Sequence, residues 1–332
     1  MRCIFIFLLV SNLAIAAITP TEFQELKIQA EKGVTEAQIE TGNCYLLGSG
    51  GVQRNQVEAI KWWRKAAELG HPKAQYIIGS FYYYGDEYLQ KNQAEGIKWY
   101  RKSAEQGYPQ ALRMLGQCFM NGFGVAKNEV EALKWYYKLA DQGDITTQRE
   151  LAYFYATGSG VPKNQVEAVR WWRKAAEQGD RDSQYYLGVC YSKGKGVPKD
   201  LVEATKWYLK SAEQGNTIAQ LNLGFCYANG VGVPKNIVEA YAWSSLSIAA
   251  DPGGISFLGP ELGVSITELI GVGASDRFLA ERIEKQMTPS QIEAGQKRSK
   301  ELQKEIEAKI KAIGEELQKE IDAKINAKGE KK

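Results

Sequence analysis

Counted from a small residue (Ala37, Ala74, Ala111, Thr147, Ser183 or Ala219), offsets 0, +4, +7, +8 and +11 barely change from one stretch of the chain to the next. Offsets +2, +3, +6, +9 and +10 vary freely. On a wheel of 100° per residue the constant set falls on one side and the variable set on the other. That pattern predicts an amphipathic α-helix with one packing face and one outward face. The packing set includes Leu115, Leu151, Leu187 and Leu223, then Tyr45, Tyr82, Phe119, Tyr155, Tyr191 and Tyr227.

A second helix follows each first one. Its clearest example is GVPKNQVEAVRWWRKAAEQG, residues 160 to 179. Asn164 is a good N-cap, and Glu167 is placed to return a bond to the cap's own N–H. The same pairing occurs as Asn55 with Glu58, Asn92 with Glu95, Asn128 with Glu131, Asp200 with Glu203 and Asn236 with Glu239. Lys or Arg three places after most of these glutamates adds i,i+3 support. Gly179 sits where a helix C-terminus favours a left-handed residue. Trp62, Trp99, Trp135, Trp171, Trp207 and Trp243 mark the beat, about 36 residues long, within the range of solenoid repeats. A lone hairpin cannot bury the apolar stripe, so neighbouring copies must stack.

The pattern A-x-x-x-L-G-x-x-Y-x-x-G-x-G-V-x-x-N-x-x-x-A-x-x-W-x-x-x-A-A-x-x-G resembles the Sel1-like repeat, a relative of the tetratricopeptide repeat. Six copies cover residues 34 to 250. The resemblance implies an all-α, right-handed αα-superhelical solenoid whose first helices line a concave face that holds partners, and it brings no catalytic residues. The copy at 71 to 107 departs most: YYYGDEYLQKN replaces the Gly-x-Gly-Val loop and Gly96 replaces a helix alanine, which predicts a local bulge.

Outside the copies the chain divides further. Residues 1 to 16 read as a secretory signal, with Arg2, an apolar run from Ile4 to Val10, and Ala14-Ile15-Ala16 as cleavage site. The run is too short to span a bilayer, so export to the periplasm or beyond, without a stable membrane anchor, is the expectation. Residues 17 to 33 form a capping helix with Thr19 or Thr21 as N-cap. Residues 251 to 287 hold a Gly-rich apolar loop and a short helix from Ser275 to Gln286. Residues 288 to 332 form a charged helix, opened by Thr288-Pro289-Ser290-Gln291 as a capping box. Within it ELQKEIEAKIKAIG (301–314) and ELQKEIDAKINAKG (316–329) are near duplicates. Leu302, Ile306, Ile310, Ile313, Leu317, Ile321 and Ile325 make one stripe. Its two readings are a solvated charged helix or a helix–helix contact, including self-association through 301–329.

Composition narrows the chemistry. A net charge of +3 over 332 residues, with both signs interspersed, gives no case for nucleic acid or a membrane surface. Cys44, Cys118, Cys190 and Cys226 all occupy offset +7 in different copies. Packed helices lie about 8–10 Å apart, beyond the roughly 4.4–6.8 Å between Cα atoms that a disulfide needs. These cysteines therefore read as small packing residues, unlike the stapling pairs of cysteine-rich relatives. His71 is the only histidine, in a turn with no nucleophile near it. No site for zinc, nucleotide or other cofactor is legible, and the repeated glutamates and tryptophans have cap and core duties. The chain reads as non-enzymatic.

What remains is the variable face. Offset +2 supplies Tyr76, Arg113, Arg149 and Tyr185, offset +6 supplies Gln117, Tyr153 and Phe225, and offset +9 supplies Tyr83. Tyrosine, arginine and apolar residues in one groove match the composition of binding hot spots. The leading expectation is an exported scaffold holding a protein or peptide on these residues. The alternatives are a cell-wall-related protein with weak β-lactam or peptidoglycan binding or hydrolysis, and a structural protein that oligomerises through its C-terminal helix.

Overall fold

The computed structural model describes residues 18–250 and 277–329, which form fifteen helices with no strand among the described residues. Helix α1 (Pro20–Glu31) opens on Thr19, whose side chain accepts from the Glu22 N–H while Glu22 bonds back to the Thr19 N–H, a complete capping box. The predicted signal segment lies outside the described residues, as does the loop at 251–276.

Six hairpins follow, first helix then second: α2 (Thr35–Leu47) with α3 (Gln56–Glu68), α4 (Pro72–Tyr84) with α5 (Gln93–Glu105), α6 (Pro109–Asn121) with α7 (Glu129–Asp141), α8 (Ile145–Thr157) with α9 (Gln165–Glu177), α10 (Arg181–Lys193) with α11 (Leu201–Ala212), and α12 (Thr217–Asn229) with α13 (Ile237–Ala250). The chain divides between Gln142 and Gly143 into two compact units of three copies each. The second unit also carries α14 (Arg277–Glu284) and most of α15 (Pro289–Gly329).

Each second helix starts as expected in one direction only. Asn55, Asn92, Asn128, Asn164, Asp200 and Asn236 accept from the N–H of the glutamate three residues on. The return bond from the glutamate is absent, because the cap's own N–H is already taken. It donates to the carbonyl of the aromatic residue at offset +8 of the first helix, as in Asn164 to Tyr155 and Asp200 to Tyr191, both 2.9 Å. Five of the glutamates pair instead with Lys or Arg one turn on, as in Lys206 Nζ to Glu203 Oε2 at 3.1 Å.

The hairpin closes on a ring-over-glycine contact. The second aromatic residue after the cap (Trp63, Tyr100, Tyr136 or Tyr208) lies against the glycine at offset +5 (Gly42, Gly79, Gly116 or Gly188). A Cβ on Gly188 would stand 2.6 Å from the Tyr208 ring. First helices end on a left-handed glycine such as Gly194, at φ 69°. Two residues on, Gly196 and Gly232 let the loop meet the carbonyls of Gln165 and Leu201 in the preceding copy, where a Cβ would collide.

Glutamines tie copies together within each unit. Gln75, Gln184 and Gln220, one residue after the small position, donate to carbonyls of Ala67, Ala176 and Ala212. Gln106, Gln178 and Gln214 then donate to Gln75, Gln148 and Gln184 at 2.7–2.8 Å. These amide donors, each reaching across to another copy or to the preceding helix, fix the register of stacking within a unit.

Copy 71 to 107 does depart as expected. Gly85 ends α4, and Asp86 turns the chain by accepting from the N–H groups of Tyr88 and Leu89. Gly96 faces Gly79 and the Tyr83 backbone so closely that a Cβ would clash with both. The four cysteines of the repeats are buried thiols outside any disulfide.

At the far end of the second unit the cap is built from α14 and α15. Thr288 and Gln291 form the expected reciprocal cap. In the last copy Tyr241 meets Gly295, and Met287 packs on the same core. Leu279, Ile283, Leu302 and Ile306 complete that core. Arg298 bridges Glu239 at 3.0 Å and Glu305 at 2.9 Å, and Lys309 reaches Glu213 at 2.8 Å. The first half of α15 is thus neither a solvated helix nor a contact with another chain: it packs on its own repeats. Beyond it Ile310, Ile313, Leu317 and Ile321 are exposed.

Candidate binding face

Packing decides which side chains of the first helices stay available. The small residue at offset 0 and the residues at +4 and +5 are buried in every copy. The variable offsets are not uniformly outward. In the copies of Tyr76 and Tyr185 the second aromatic ring, spread over the glycine at +5, extends to the edge of the +2 position.

In the first unit this places Tyr76 half-buried, its ring 5.5 Å from that of Tyr100 and 5.5 Å from that of Tyr108. Burial pushes its hydroxyl up to about 12. Arg113 is half-buried and Gln117 is exposed. Tyr83 is buried, which corrects its expected place in an open groove. The glycine pair Gly79 and Gly96 brings α5 against the Tyr83 backbone, and its ring rests 5.8 Å from Tyr100.

In the second unit Tyr185 is the other correction. It is 2% exposed, with its ring 6.1 Å from Tyr208, and it belongs to the core that Leu221 and Ile306 share. Arg149 is half-buried and structurally engaged: Nη1 donates to Asp180 Oδ2 at 2.6 Å and lies 3.6 Å from Asp182. Asp180 is the N-cap of α10, accepting from the Ser183 N–H at 2.8 Å. Tyr153 is half-buried, and Phe225 is half-buried against the core. Tyr76, Arg113 and Gln117 therefore share one face in the first unit, and Arg149, Tyr153 and Phe225 share one in the second.

Sequence reasoning missed Tyr186 at offset +3. Its ring stacks on Trp172 at 5.1 Å and 23°, and burial and the nearby Asp182 raise its hydroxyl. The signal was present: an aromatic residue follows the first tryptophan in five of the six copies (Trp63, Tyr100, Tyr136, Trp172 and Tyr208). Such a ring has room to support a neighbour on the first helix.

The remaining chemistry is sparse. His71 caps α4 without a side-chain bond, and its Nε2 lies 3.5 Å from Glu36 Oε1. It is more enclosed than a turn histidine usually is, and burial lowers its basicity. Burial also pushes the Cys190 thiol up to about 12, so it is a poor nucleophile. Among the described residues no three His, Cys, Asp or Glu side chains are grouped to hold a metal, and no helix is long and apolar enough to cross a membrane.

The Sel1 repeat family model matches residues 35–71, 72–108, 109–144, 146–180, 181–216 and 217–252. Among solved structures, one similar protein is c5321, described as a protective antigen present in uropathogenic Escherichia coli strains displaying an SLR fold. It is 29% identical with a TM-score of 0.57, over 94% of this chain and 62% of that one. This chain thus spans less than two thirds of that protein's length. Another is a Sel1 repeat protein from Oxalobacter formigenes, 38% identical over 64% of this chain and 84% of that one, with a TM-score of 0.45. No curated protein matches significantly.

Proposed function

The chain belongs to the Sel1 repeat family, and on that premise we propose that it is an exported, non-catalytic scaffold holding a protein or peptide partner on the outer face of its first helices. The observation that carries the reading is the split between offsets. Positions 0, +4 and +5 are closed in every copy, while Tyr76, Arg113, Gln117, Arg149, Tyr153 and Phe225 keep part of their surface on the variable side. A face that alternates aromatic, guanidinium and amide groups on rigid helices supplies many shallow contacts with little ordering cost. Export rests on residues 1 to 16, and the likeness to a protein described as a protective antigen accords with it.

The test uses a photo-crosslinking residue at Gln117, with Lys134 on the exposed side of α7 as control, in intact cells that make the full chain. A discrete adduct at Gln117 and none at Lys134 supports the face. Equal labelling of both, or adducts at Lys134 alone, overturns it. A mature protein whose first residue is Ala17 or Ile18 supports export; a retained Met1 in the cell extract refutes it.

A further inference from the structure

The two near-duplicate halves of α15 meet different surroundings. In the first, Leu302 and Ile306 are buried against the last copies, 3% and 8% exposed. The stripe then continues through Ile310, whose tip still borders Gly215, to Ile313, Leu317 and Ile321; the four are 50%, 53%, 58% and 43% exposed. A repeated hydrophobic pattern that finds its partner once and then leaves the same residue types in water is a surface awaiting a partner.

We propose that residues 309 to 322 pair with the same segment of a second copy of this chain, as an antiparallel helix dimer. Three observations select that occupant. The stripe is symmetric to within one residue: its spacings of three, four and four become four, four and three on reversal, so an antiparallel copy sets Ile310 opposite Ile321 and Ile313 opposite Leu317, and four aliphatic layers form from one sequence. Charge is polarised along the segment. Within 309–322, Lys309 (which also reaches Glu213) and Lys311 stand at one end, whereas Glu315, Glu316, Glu320 and Asp322 outweigh Lys319 at the other. Antiparallel pairing juxtaposes the basic end with the acidic one, and parallel pairing stacks like on like. The interface also continues one that exists, since α15 is anchored on its own repeats by Leu302, Ile306, Arg298 and Lys309 up to the point where the free stripe begins. Self-pairing of this kind is isologous, so it closes as a dimer and does not propagate.

Four layers make a small interface, so association is weak and concentration-dependent. Sedimentation of the full chain over a concentration series is expected to show mass rising from that of one chain, at most 37.0 kDa, toward twice that value. Ile313→Glu with Leu317→Glu, both on exposed positions, is expected to hold the protein monomeric with unchanged melting and circular dichroism. Orientation is read by mixing Ile310→Cys protein with Ile321→Cys protein under oxidation: a crosslink forms in the mixture and not in either variant alone. A single-chain mass at every concentration overturns the proposal, as does a dimer indifferent to the two glutamates. Crosslinking of Ile310→Cys to itself overturns the antiparallel arrangement.

Discussion

Replacing Arg149 by glutamate tests whether the +2 position is surface or structure. The wild-type guanidinium donates to Asp180 Oδ2 at 2.6 Å and sits 3.6 Å from Asp182, with its side chain 35% exposed and that of Asp180 11%. An exposed pair contributes about 0.2–1 kcal/mol, and the low exposure of Asp180 places this one toward the upper end. Glutamate removes that attraction and sets a third negative charge beside two carboxylates, one of which caps α10. Loss and repulsion together come to roughly 1–3 kcal/mol. For a unit of this size each kcal/mol moves Tm by about 2–4 °C. Differential scanning calorimetry should therefore rank wild type above Arg149→Ala, and Arg149→Ala above Arg149→Glu. The gap between the two variants should narrow in about 1 M salt, where the Debye length is about 3 Å. A glutamate variant that melts with the wild type would show that the bridge contributes nothing and that Arg149 is free for a partner.

Other consequences follow from the same packing. Gly188→Ala drives a methyl into the Tyr208 ring and should cost about 1–3 kcal/mol in chemical denaturation; a neutral result refutes the ring-over-glycine contact. His71 is the only histidine, and burial lowers its pKa. The unfolded chain therefore takes up a proton first as pH falls through about 6.5, so stability is full above that pH and declines below it. His71→Gln should flatten the change in Tm between about pH 7.5 and 5.5, and an unchanged slope argues against enclosure. Burial raises the thiols of Cys118, Cys190 and Cys226, so a thiol reagent should label them slowly in native protein and fully in denaturant; rapid native labelling would place them at the surface.

The periodic part of the chain was readable because packing and period coincide. Offsets 0 and +4 face a neighbour in every copy, so their residue type cannot drift and the wheel exposes them. The caps of the second helices were readable for the same reason, but the destination of the cap's N–H was not. It depends on the offset +8 carbonyl arriving within 2.7–2.9 Å, and a carbonyl leaves no trace in residue type. The glutamine ladder was visible as a repeated residue and overlooked, because glutamine lies outside any apolar period.

Variability proved a poor guide to exposure for Tyr83 and Tyr185, and the reason is geometric. The +2 position borders a ring that differs in size from copy to copy, Trp in some and Tyr in others, so its own residue changes to fill whatever gap that ring leaves. Tyr185 fills beside Tyr208, and Tyr76 fills beside Tyr100 and Tyr108. Arg149 solves the same position differently, reaching the cap of the following first helix in its own unit. Variation there records local fit within the stack. Position +6 is exposed at Gln117 but buried at Ser80, where the Tyr100 hydroxyl donates to Ser80 Oγ at 3.0 Å. Partner selectivity on this face therefore belongs to +6 residues such as Gln117 and Tyr153, whereas changes at +2 carry a stability cost with them. Evolution or engineering of a new partner should accumulate substitutions first at open +6 positions such as Gln117 and Tyr153, and not at Asn43 or Ser80, which the stack buries.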